Sequence, residues 1–126
     1  MISSSEESIT HKKISYEQKT FIKTSLRQLG INSKNNGFIV IQKVIKYAYE
    51  KDMISINLED IYRYIAKLTS KSNKTIESII RYALYNVNSK QFSSNYEKIF
   101  GIDFSFEFFS LKNFISDFLD ILETIK

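Results

Sequence analysis

The sequence predicts an all-α domain of six helices that contains a helix-turn-helix. Three observations carry that expectation. Apolar residues recur at helical spacing from Phe21 to Ile125. Proline is absent, and the three glycines, Gly30, Gly37 and Gly101, stand at the edges of periodic segments. Between Asn57 and Asn88, two amphipathic patterns meet across a polar turn too short for the helices to run parallel.

Residues 1–13, MISSSEESITHKK, are polar and aperiodic and read as a disordered N-terminal arm, which leaves residues 14–126 as the folded domain. Ser15, with Gln18 three residues on, forms a capping box for a first helix. That helix buries Phe21, Ile22, Leu26 and Leu29 and stops at Gly30, the usual left-handed residue. The turn INSKNNG leads to a second helix, whose inward positions are Phe38, Ile41, Val44, Ile45 and Ala48. Asn57 caps the third, with Leu58, Ile61, Ile65 and Leu68 on one stripe. Thr69 to Ser72 form the turn, and the fourth helix, 72–88, turns Ile76, Ile79, Ile80, Ala83, Leu84 and Val87 inward. A short fifth helix is expected from Ser94, with Glu97 at the capping-box position and Gly101 as its stop. The segment IDFSFEFF alternates apolar and polar residues, but no second strand is available to pair with it, so a structured loop is expected. The last helix starts near Ser110 and carries Leu111, Phe114, Ile115, Phe118, Leu119, Leu122 and Ile125 on its apolar face.

A chain of 126 residues supports one core. No apolar run reaches the length of a membrane span, and the N-terminus lacks the layout of a signal peptide. Cysteine is absent, which removes disulfide and thiolate chemistry; the expected location is cytoplasmic, away from membranes. His11 is the only histidine, and the glycines form no phosphate-cradling loop. The expectation is therefore a protein without enzymatic activity, cofactor, metal or small-molecule substrate. Charge is uneven: residues 1–100 carry 16 Lys/Arg against 9 Asp/Glu, and residues 101–126 carry 2 against 5. A basic body draws polyanions and an acidic end stays away from them.

The order of motifs resembles the C-terminal DNA-binding domain of the stage-zero sporulation response regulator. LGIN followed by GFIVIQKVI is similar to that domain's glycine–aromatic–aliphatic helix. IYRYIAKL resembles its leucine–tyrosine…isoleucine–alanine–lysine helix, and IESIIRYAL its recognition helix, with Glu77, Ile80, Arg81 and Ala83 at matching positions. Phe100–Gly101 matches the phenylalanine–glycine after the fifth helix. The resemblance covers most of the chain and implies a sequence-specific transcription regulator. It departs in three places. The chain has no room for the family's receiver domain, so aspartate phosphorylation is not the expected switch. Thr75 and Ser78 stand where the family's recognition helix carries two arginines, the commonest guanine readers. Finally, seven phenylalanines, Phe100, Phe104, Phe106, Phe108, Phe109, Phe114 and Phe118, crowd an acidic C-terminal end; the corresponding region of the family packs neighbouring monomers on tandem DNA sites.

With its apolar side inward, the fourth helix offers Asn73, Lys74, Glu77, Ser78 and Arg81 to base edges of double-stranded DNA: Asn suits adenine, Glu cytosine and Arg guanine. An ordinary solvated helix face would carry the same residue types. Arg63, Lys67 and Lys71 flank the turn as phosphate contacts, with Lys43 and Lys46 behind them. Tyr62, Tyr64, Tyr82 and Tyr85 lie near this unit, as packing groups or as platforms for exposed bases. Phe106, Phe108, Phe109 and Phe118 are assigned to self-association, as a homodimer or as tandem copies on DNA. The competing expectation is a protein-interaction module of the same fold that binds a protein partner and antagonises a regulator.

Overall fold

A computed structural model describes residues 12–125. Within them lie six α-helices: α1 (Tyr16–Gln28), α2 (Asn36–Glu50), α3 (Leu58–Thr69), α4 (Asn73–Tyr85), α5 (Ser89–Phe100) and α6 (Leu111–Leu122). A single 3-10 turn, Phe106–Phe108, interrupts the loop before α6, and there is no strand among the described residues. The expected arm lies largely outside them. Among the described residues, no helix is long and apolar enough to cross a membrane.

Every helix starts on a serine or asparagine. Ser15, Asn35, Asn57, Ser72, Asn88 and Ser110 each accept a hydrogen bond from a first-turn backbone N–H through the side chain. Each such cap contributes about 0.5–2 kcal/mol by satisfying an N–H that has no partner within its helix. At the other ends, Gly30 and Gly101 take the left-handed conformation, and Ser70 does so without being a glycine.

Helix α2 is the axle of the domain. It packs against α1, α3, α4 and α6, while α4 also meets α3, and α5 joins α1 to α6. Leu26, Leu29, Ile41, Ile45, Ile61, Ile65, Ile76, Ile80, Phe92, Tyr96, Phe114 and Phe118 are fully buried, so all six helices contribute to one core. Burying each such side chain contributes roughly 1.5–3 kcal/mol. One buried polar side chain closes the bundle. The Gln18 amide nitrogen donates to the Leu122 carbonyl (2.9 Å) and lies 3.0 Å from the Tyr49 hydroxyl, while its oxygen accepts the Ser15 N–H. The third residue of α1, which completes the capping box with Ser15, thus also ties α1 to α2 and to the end of α6.

Four expectations change. Helix α5 begins at Ser89, capped by Asn88, and Ser94 lies within it. The longer helix puts Phe92, Tyr96 and Phe100 on one buried face at i, i+4, i+8, and Glu97 accepts the Phe104 N–H instead of closing a capping box. Leu68, expected on the inward stripe of α3, is 54% exposed, because Ala66 takes the inward position at the end of the helix. Phe118, assigned to self-association, is fully buried, with ring contacts to Phe21, Phe100 and Phe114. Helix α4 also stops at Tyr85, short of the expected 88, with Asn86 as its C-cap.

The phenylalanine-rich loop is held by rings. Phe92 lies at the centre of a cluster with Phe104 (5.4 Å between centroids), Phe106 (5.8 Å) and Phe109 (5.5 Å). Beside it the Tyr96 hydroxyl donates to Asp117 on α6. Burial raises the Asp117 carboxyl pKa, and Asp120 adds to the rise, against the lowering effect of the Tyr96 hydrogen bond.

Helix α4 comes so close to the start of α2 that a Cβ on Gly37 would overlap that of Ala83 and stand 3.2 Å from the Ile79 carbonyl oxygen. Gly37→Ala should therefore destabilise the domain by about 1–3 kcal/mol through overpacking, read as a lower urea midpoint. A midpoint equal to the parent's would show that α4 has slack at this contact. A carboxyl whose folded pKa is raised favours the native state below its ordinary value and loses that advantage as pH rises through the folded value. Asp117→Asn removes this dependence, so the variant's stability relative to the parent should increase as pH rises from about 4, the ordinary aspartate value, towards neutral. Denaturation curves across that range check the sign.

Candidate nucleic-acid interface

Helices α3 and α4 are joined by two residues, Ser70 and Lys71, before the cap at Ser72. Ser70 ends α3 in the left-handed region (φ 56°), and both it and Lys71 donate their N–H to the Ala66 carbonyl. The Ser72 hydroxyl accepts the Thr75 N–H (3.1 Å) and donates to the Thr75 Oγ1 (2.9 Å). The turn is thus fixed by hydrogen bonds at both ends, and α4 leaves it in a defined direction.

Helix α4 buries Ile76, Ile80 and Ala83, and half-buries Ile79 and Leu84. Its remaining side chains do not form one face. Lys74, Thr75, Ser78 and Tyr82 line an open concavity of about 560 Å³, whose other wall is Asn35 and Asn36 at the start of α2. Glu77 and Arg81 turn to the opposite flank. There they pair with each other (2.7 Å) and border an apolar groove with Tyr62, Leu84, Phe106 and Phe109. Burial in that groove raises the Tyr62 phenol pKa, and the Glu77 carboxylate reinforces the rise. Asn73 is exposed and lines neither hollow.

The predicted base-contact set is therefore split, with Lys74 and Ser78 on one side and Glu77 and Arg81 on the other. Asn35, Asn36, Thr75 and Tyr82 join the first side; Thr75 and Tyr82 are expected from the sequence near the reading unit but not as base contacts, and the two asparagines are not in the expected set. The signal for them was present: 74, 78 and 82 are one helical stripe, and Gly37 directly after Asn35–Asn36 marks a close approach of backbones. Asn35 caps α2 as Ser72 caps α4, so two helix N-termini with their partial positive charge border the same concavity. With the Lys74 ammonium, they make a surface complementary to phosphate oxygens.

Among the expected phosphate contacts, Lys67 and Lys71 are exposed at the end of α3 and in the turn. The Arg63 guanidinium is exposed and lies 3.6 Å from the Asp60 carboxylate, a weak surface pair. Lys46 is exposed on α2 but lines a different hollow, beside Tyr47 and Tyr64. Of the self-association set, Phe106 is 49% and Phe108 75% exposed, whereas Phe109 is half-buried against Phe92.

Ser72→Ala removes both bonds to Thr75 and should cost about 1 kcal/mol, measurable as a lower thermal midpoint. An unchanged midpoint would mean that water replaces the cap without loss. Compared with protein-family models, with curated proteins and with solved structures, the chain has no match.

Proposed function

We propose that this protein is a DNA-binding transcription regulator whose α3–α4 pair acts as a helix-turn-helix. The observation that carries the reading is the exposed stripe Lys74, Thr75, Ser78, Tyr82, bordered by the capped starts of α2 and α4. A recognition helix makes its base contacts near its N-terminal end, which is where this stripe begins. Lys74, Thr75 and Ser78 offer donors and acceptors to base edges, and the N-terminal amides of α2 and α4 offer donors to backbone phosphates. The resemblance to the sporulation regulator's effector domain supports the same assignment. In that comparison Thr75 and Ser78, the replacements for two arginines, fall on the contacting stripe, so the base sequence read differs from the family's. The surplus of basic residues before position 100 supplies the attraction to a polyanion.

A second reading rests on the other flank of α4. The Glu77–Arg81 pair and the groove of Tyr62, Leu84, Phe106 and Phe109 suit a protein partner better than a phosphate backbone. In this reading the chain binds another regulator and antagonises it, and the exposed Phe108 adds to the contact area.

Selection from random duplex DNA at two salt concentrations separates the two readings. A regulator of the proposed kind enriches a motif, and its affinity falls steeply as salt rises, through release of counterions. Lys74→Ala should weaken binding and reduce the salt slope by about 1, while leaving the thermal midpoint unchanged. Arg81→Ala should have the smaller effect, because Arg81 already has a carboxylate partner. Recovery of no motif, with weak binding at both salts, would favour the protein-partner reading.

A further inference from the structure

The second half of α2, the middle of α3 and the chain leading into α1 enclose another hollow, of about 300 Å³. Its floor is a stacked pair of tyrosines: the Tyr47 and Tyr64 rings are 4.0 Å apart at 13°. Tyr47 is the anchored member. Its hydroxyl donates to Asp60 (3.1 Å), and the Lys51 ammonium lies 5.7 Å over its ring. Tyr64 is the offered member, 40% exposed.

Charge in the hollow is mostly positive, four lysines against the Glu50 carboxylate. Lys12 is neutralised by Asp52 (2.8 Å) and by Glu123, and the Glu50 carboxylate accepts the Ile14 N–H. Lys13, Lys46 and Lys51 line the same hollow, and among the described residues none of the three has a carboxylate within 4.0 Å. A stacked tyrosine pair is explained as a clasp between α2 and α3. The clasp does not require three ammonium groups around it, and they outnumber the one carboxylate in the lining, Glu50, which leaves a positive surplus that attracts an anion.

We propose that this hollow binds a nucleotide, with the base stacked on Tyr64 and the phosphates among Lys13, Lys46 and Lys51. Its volume is at the lower end for small-ligand sites, large enough for one base and its phosphates. Aromatic stacking accepts any base face, and the lysines provide the preference for phosphorylated forms. An occupant would connect the chain leading into α1 to α3, the helix immediately before α4. The inference does not depend on the DNA-binding reading, since none of its residues belongs to the α4 stripe.

The test is a titration of the isotopically labelled full chain, followed by amide chemical shifts, with ATP, adenosine, inorganic phosphate and a single-stranded oligothymidylate as separate probes. ATP should shift Lys46, Tyr47, Lys51 and Tyr64, and should bind more tightly than adenosine or phosphate. Tyr64→Leu should weaken ATP binding roughly tenfold. Lys46→Gln with Lys51→Gln, both at exposed positions, should abolish the preference for ATP over adenosine and keeps the experiment decisive if Tyr64→Leu unfolds the domain. The proposal fails if millimolar ATP moves none of these amides, if its shifts fall on α4, or if phosphate alone binds as tightly. It also fails if oligothymidylate occupies the hollow where ATP does not.

Discussion

The contact of Gly37 with Ala83 sets the arrangement of the domain. Helix α2 touches four of the other five helices, and α4 is positioned chiefly by lying against its first turn and against α3. Only the Ala83 methyl separates the two backbones there. The closeness brings Asn35 and Asn36 beside Ser78 and Tyr82, and so makes a concavity out of what would be a plain helix face. One missing Cβ thus links the packing of the core to the shape of the surface.

Much of this architecture was legible from residue spacing. Polar caps followed by periodic apolar residues placed the starts of α1, α3, α4 and α6, because the orphan N–H groups of a helix demand a nearby oxygen. The start of α5 was misplaced because Asn88 and Ser94 are both competent caps, and only burial decides between them. Phe92 has to be on the helix for its ring to reach Phe104, Phe106 and Phe109. Phe118 was misassigned for a related reason: a count of phenylalanines says how much apolar area exists, not which rings the fold encloses. Contacts distant in sequence, such as Gln18 with Leu122, leave no mark in local periodicity.

The candidate interface was half legible. A helical wheel separates inward from outward positions, and it placed Lys74 and Ser78 outside as found. It treats all outward positions alike, whereas neighbouring elements divide them. The start of α2 borders one flank of α4, while Tyr62 and the phenylalanine loop border the other. Glu77 and Arg81 are four residues apart, a spacing that favours an ion pair, so each is partly satisfied before any partner arrives. Surface exposure alone therefore overstates what these two residues offer. A similar division separates the three lysines at the tyrosine clasp from Lys12, whose charge is already met.

Amide hydrogen exchange of the chain with and without a mixed-sequence duplex at low salt tests the central claim most directly. If α4 and the start of α2 meet DNA together, protection should appear at Asn35, Asn36 and Gly37 and from Ser72 to Tyr82, and should be lost at high salt. Protection confined to the flank of Tyr62, Phe106 and Phe109, or absent from both helix starts, would contradict it.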